Sequence, residues 1–151
     1  EEDALSNNKD AANRNFEVAK IKELNLKYSE AQHYFKLAVT LDEQNPEYIF
    51  SYSCSLLDNS NYREAIQQIN VALQIFSNIK SSGSELAECY NTLGGIYKLL
   101  GQYDKAIEFH QKALDIDIRI VGEIHPNIAI YYNNMHLFTK KKNTLTKQLN
   151  F

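Results

Sequence analysis

The sequence predicts an all-α chain, a solenoid of about three helix pairs plus a terminal helix. Three observations carry this. Leu86-Ala-Glu-Cys-Tyr-Asn-Thr-Leu-Gly returns as Ile128-Ala-Ile-Tyr-Tyr-Asn-Asn-Met-His, so that Leu86, Ala87, Tyr90, Asn91 and Leu93 find Ile128, Ala129, Tyr132, Asn133 and Met135 forty-two residues later. A fixed period of this length marks a repeat array. Between breakers, apolar residues recur at spacings of three and four, the period of one helix face. The breakers themselves, Asp58-Asn59-Ser60-Asn61, Ser81-Ser82-Gly83-Ser84 and Gly101-Gln102, fall where helices must end.

Residues 1–8 carry no period and are expected to be a frayed or only loosely helical N-terminal segment, with order beginning near Lys9. Residues 9–45 form a worn first repeat. Its first helix, Ala11 to Leu24, aligns Ala12, Phe16, Ala19 and Leu24, and Asn25-Leu26-Lys27 interrupts it. Its second aligns Tyr28, Ala31, Phe35, Ala38, Val39 and Leu41, and stops before Pro46 because proline disfavours helical geometry in the residue ahead of it.

Residues 46–85 form the second repeat, which opens on Pro46 in a first-turn position that suits proline. Ile49, Tyr52 and Leu56 are followed by Tyr62, Ala65, Ile66, Ile69, Ala72, Leu73 and Phe76 on one side of a partner helix. Extra residues then accumulate from Ser77 to Ser84. Residues 86–127 form the third repeat, in which Tyr103, Ala106, Ile107, His110, Ala113 and Leu114 make the inner stripe of the second helix. Ile116, Ile118, Ile120 and Val121 lengthen it by about two turns before Gly122. Small residues such as Gly94, Ala106 and Ala113 are needed where helices cross closely. Residues 128–151 are a partial fourth repeat or a capping helix, helical from Ile128 to about Lys141, after which the pattern fades and Gln148 stands where a small residue is expected.

Within the third repeat, Tyr90-x2-Leu93-Gly94-x2-Tyr97, then Ala106-x3-His110 and Ala113, resembles the tetratricopeptide pattern, with Tyr90 for its usual Trp and His110 for its usual aromatic. Ala31 and Ala65 lie thirty-four residues apart, the standard period of that family. The longer forty-two-residue unit, the Asn after the first Tyr and Gly122-Glu123-x-His125-Pro126 resemble the variety found in kinesin light chains. The resemblance implies a right-handed superhelix whose first helices line a concave groove for extended peptides.

In that register the groove positions of the third unit are Glu88, Asn91, Gly95 and Lys98. Those of the fourth are Ile130, Asn133, Leu137 and Lys140, with Asn134 and Lys141 alongside. The second unit offers Glu47, Phe50, Cys54 and Leu57, and the first Asn13, Phe16, Lys20 and Glu23. An asparagine amide carries both donors and an acceptor and can hold a peptide backbone. Asn91 and Asn133 resemble the groove asparagines of kinesin light chains. The lysines favour an acidic ligand, and Phe50 and Cys54 an apolar side chain. Phe16 and Phe50 stand where the chaperone-tail clamp subtype places polar residues, which argues against that subtype.

The remaining classes have little support. A net charge of -3, with Lys140-Lys141-Lys142 as the one basic run, gives no nucleic-acid footprint. No apolar run reaches the roughly 18 residues of a membrane span, and the start Glu1-Glu2-Asp3 is unlike a signal peptide. Cys54 and Cys89 read as reduced thiols of a cytoplasmic protein. No His, Cys, Asp or Glu set has metal-ligand or nucleophile-base spacing, so no metal, cofactor or catalysis is expected. Gly94-Gly95 lacks the strand and Gly-Lys-Ser/Thr of a phosphate loop.

The expected function is non-catalytic protein–protein interaction, with a peptide held in the groove, as a piece of a longer protein. The alternatives are a peptide-sensing domain of a bacterial signalling protein and a spacer or dimerisation unit attached to a catalytic domain. Leu137, Phe138 and Leu145 would then be partly exposed and could join two copies through the C-terminal end.

Overall fold

The computed structural model describes residues 2–79, 83–122 and 126–149, without the side chains of Glu2, Val121, Pro126, Asn127, Ile130, Asn134 and Leu149. Among the described residues there are seven helices and no strand: α1 (Glu2–Leu24), α2 (Tyr28–Leu41), α3 (Pro46–Asp58), α4 (Tyr62–Asn78), α5 (Ser84–Leu99), α6 (Tyr103–Val121) and α7 (Pro126–Leu149). They divide into two compact units, Glu1–Asn78 and Ile79–Phe151, and the division falls in the Ser77 to Ser84 stretch. In the first, α1 packs on α2, α2 on α3 and α3 on α4; in the second, α5 packs on α6 and α6 on α7.

In the first unit Ala12, Ala19, Ala31, Ala38, Ala65 and Ala72 are buried at the crossings, where a larger side chain would hold the helices apart. The spaces between are filled by Phe16, Phe35, Ile49, Leu56, Ile69 and Phe76. Each large apolar side chain buried in this way contributes about 1.5–3 kcal/mol. Phe16 meets Phe35 edge-on at 5.7 Å between ring centroids and Tyr48 at 4.7 Å, so one ring joins three helices. Asn45 starts α3 by accepting from the backbone N–H groups of Glu47 (3.1 Å) and Tyr48 (3.3 Å). The Tyr52 hydroxyl donates to Glu64 at 2.8 Å, tying α3 to α4, and burial, then Glu64, pushes its pKa up to about 12.

The turns α1–α2, α3–α4 and α5–α6 are built alike. The N–H groups of Lys27, Asn61 and Gln102 bond back to the carbonyls of Lys22, Leu56 and Tyr97 at 2.9, 2.9 and 2.8 Å, after a left-handed residue: Leu26 (φ 59), Ser60 (φ 58) and Gly101 (φ 72). This is the Schellman ending, which favours glycine at the left-handed place. The third turn alone has one.

Helix α1 begins at Glu2, and its residues 3–10 are exposed and bury no face. Three expectations are corrected. Leu24 is 83% exposed and belongs to no stripe. Phe16, expected along the groove, is core. Helix α7 continues past Lys141 to Leu149, because residues 142–149 contain neither Gly nor Pro, and the Thr144 and Thr146 hydroxyls bond to the carbonyls of Lys140 and Lys142, both at 3.0 Å.

A lysine-rimmed cleft in the second unit

The second unit is organised by the close approach of α5 and α6. Leu93 and Ile96 of α5 and Ala106, Ala113 and Leu114 of α6 are fully buried. Gly94 lies under the ring of His110: a Cβ there would stand 2.8 Å from the imidazole Cδ2, Cε1 and Nε2. Glycine is required at this place because the ring occupies the space of a side chain. On the flank of the pair, Phe109 stacks at 5.4 Å on Tyr97, with an interplanar angle of 4°, and at 6.2 Å on Tyr90. All three rings are half-buried, with Lys105 and Lys112 over their faces.

His110 fills the core place that the sequence assigns to an aromatic, and 4% of it is exposed. Its Nδ1 hydrogen-bonds Asn91 Oδ1 at 2.9 Å, while Nε2 is buried with no hydrogen-bond partner among the described residues. Burial and then the charge of Lys98 hold its pKa below the ordinary imidazole value, so the ring is neutral near pH 7. Helix α7 closes over this ring. Phe138 stacks on His110 at 5.4 Å and Tyr131 approaches it at 6.5 Å. Tyr131 is bonded to Asp117 of α6, and burial followed by that carboxylate raises its pKa.

Beside Phe138 the C-terminal half of α7 and the α5–α6 turn enclose a cleft of about 490 Å³. Tyr103, Leu137, Phe138 and Leu145 supply its apolar wall; Lys98, Lys140, Lys141 and Thr144 complete the lining. Lys98 Nζ stands 5.3 Å from the centroid of Phe138, a cation–π contact that holds the ammonium over the cleft. Lys142, one residue beyond, pairs with Asp104 instead.

Of the residues singled out in the sequence, Lys98, Lys140 and Lys141 therefore meet at one cleft. Asn91 and Asn133 are exposed on α5 and α7, and Asn91 is already tied to His110. The Asn134 side chain lies outside the described residues, as does His125. Phe50 and Cys54 are half-buried on α3 of the first unit. Phe138, expected to be partly exposed, is buried, whereas Leu137 and Leu145 are exposed. The groove positions expected from the sequence leave out Tyr103, assigned there to an inner stripe with Ala106, and Phe109, whose partners Tyr90 and Tyr97 are visible at the matching spacing. Among the described residues no three His, Cys, Asp or Glu side chains could hold a metal ion, and no helix is long and apolar enough to cross a membrane.

The tetratricopeptide repeat profile matches residues 55–119 and 85–135, more than half of the chain. The chain belongs to this family. Its fold class is the all-α tetratricopeptide solenoid, and solved tetratricopeptide structures agree. The N-terminal domain of stress-induced protein-1 from C. elegans superposes with a TM-score of 0.70 over 85% of this chain and 97% of that one, at 12% identity. PcrH in complex with the chaperone binding region of PopD gives 0.72 over 88% and 94%, at 14% identity. The TPR2AB domain of yeast Sti1, in complex with pHSP90, gives 0.66 over 99% and 51%, at 15% identity. In sequence, the tetratricopeptide chain is 25% identical over 130 residues to the clustered mitochondria protein homolog of Homo sapiens and 29% identical over 89 residues to that of Xenopus tropicalis. Those matches cover 85% and 58% of this chain but span only 9% and 7% of the relatives.

Proposed function

We propose that this chain is a non-catalytic protein-interaction module whose second unit holds an extended, acidic segment of a partner along α5 and α7. The observation that carries the reading is the cleft itself, where an apolar wall and three lysines converge. An apolar side chain of the partner loses its hydration against Tyr103, Leu137 and Leu145, while carboxylates beside it meet Lys98, Lys140 and Lys141. Exposed ammonium groups contribute mainly to encounter rate and choice of partner. Asn91 and Asn133, at equivalent places on α5 and α7, extend the polar contact to the partner's backbone. The forty-two-residue spacing of these asparagines supports a kinesin light chain-like arrangement. Two structures of similar fold, PcrH and yeast Sti1, carry a bound protein segment.

The test is a peptide-display selection on the chain and, in parallel, on its Asn91→Ala/Asn133→Ala and Lys98→Ala/Lys140→Ala/Lys141→Ala variants, all changed at exposed positions. A common motif with acidic residues is expected on the parent, weakened by the asparagine changes and stripped of its acidic character by the lysine changes. Enrichment of one motif on all three proteins would overturn the reading.

A further inference from the structure

Resting on that reading, we infer that His110 is a positioning residue that turns Asn91 into a donor, making the α5 side of the site selective for partners that present oxygen acceptors. An asparagine amide ordinarily offers an acceptor and two donors. Here Oδ1 faces the His110 Nδ1 at 2.9 Å inside the protein, and Nδ2 bonds to none of the described residues. The neutral ring has one proton to place. On Nε2 it would be a buried N–H with nothing to donate to, since that atom has no hydrogen-bond partner among the described residues. On Nδ1 it donates to Asn91, and only a lone pair is left unpaired. Orphaned buried N–H groups are rarer than under-used acceptors, so the Nδ1–H form is the one that fits.

The ring cannot turn freely to trade this arrangement for another. It is pressed on Gly94 at a distance no Cβ could share and is covered by Phe138. With Oδ1 fixed inward, the exposed face of Asn91 is its NH2 group. Lys98 stands two turns farther along the same face of α5, about 10 Å away by helix rise, and also carries donors only. A backbone carbonyl or a carboxylate of the partner can bond to both; a partner N–H finds no acceptor at either. The matching positions of the first two repeats, Phe16 and Phe50, have no polar atom to orient.

Two measurements test this. Long-range nitrogen–proton spectra of the labelled chain should show His110 Nδ1 protonated and Nε2 bare; the reverse tautomer overturns the inference, whatever the chain binds. The second uses His110→Phe, which keeps a ring over Gly94 and removes both nitrogens. Its melting temperature should equal or exceed the parent's, because the unpaired Nε2 is gone. Binding of the peptides selected on the parent should weaken about two- to fivefold, less than the loss of a whole hydrogen bond, because the freed amide must be turned on binding, and adding Asn91→Ala should cost less in this background than in the parent. Unchanged binding in a folded His110→Phe, or fully additive losses, overturns the positioning role. Should the parent select no peptide, the interaction reading fails and the tautomer alone decides whether His110 orients Asn91.

Discussion

In the first unit the ring of Phe35 meets Phe16, and in the second the ring of His110 meets Asn91, at the same two places of the repeat. Phe35 and His110 each follow the crossing alanine, Ala31 or Ala106, by one helical turn; Phe16 and Asn91 precede those alanines at equal distance. The first pair is apolar, shut in and joined by a third ring, Tyr48. The second is a hydrogen bond with one end in the core and the other exposed, and it leaves Nε2 unpaired. An unpaired buried polar atom costs about 1–3 kcal/mol. One slot thus serves two ends: the hydrocarbon version adds stability, and the polar version gives some up to aim an amide at the surface.

The contrast can be broken most strongly at Phe35. Phe35→Ala should lower the stability of the first unit by about 3–5 kcal/mol, read as a shift in urea midpoint. A near-neutral result would mean that the ring trio is not packed as described. Next comes the floor under each ring. The first unit has Ala19 where the second has Gly94, so Gly94→Ala should cost about 1–3 kcal/mol by overpacking against His110, and the cost should shrink in a His110→Ala background. Equal cost in both backgrounds would remove the imidazole as the reason for glycine.

The turns give a smaller effect of opposite sign in the two units. Leu26→Gly should stabilise by about 1 kcal/mol and Gly101→Leu should destabilise by about 1–2 kcal/mol, since a left-handed residue with a side chain carries that penalty. Chemical denaturation of both variants checks the pair. The smallest effect is the pH response of the second unit. His110 in the folded chain titrates below the ordinary histidine value near 6.5, so the unfolded chain takes up the proton first. Stability should therefore fall as the pH drops below that value, and continue to fall until the folded ring itself is protonated. His110→Phe should flatten the curve between pH 7 and 5, measured by melting temperature.

Much of the helical plan was legible in the sequence, because breakers and a three-to-four spacing are local signals. The aromatic place of His110 and the turn at Gly101 could be read in the same way. The bond from His110 to Asn91 could not, since it depends on how far α5 and α6 are rotated about their own axes. Phe16 was misplaced because a fifteen-residue offset from Ala31 falls near the boundary between groove and core, and the side chain present then decides the matter. The apparent end of α7 near Lys141 came from expecting the repeat to turn where Gly101 turns; the chain has Asn143 there and carries on as helix. The lysines of the cleft were visible as separate residues, but Tyr103 and Leu145 become its wall only through that continuation.

The packing of neighbour on neighbour, α1 to α2 to α3 to α4 and α5 to α6 to α7, also bears on speed. Few loops must close before a contact forms, so each unit belongs with helical proteins that fold in about microseconds to milliseconds. Either unit, once unfolded, therefore recovers its structure on that scale without waiting for the other.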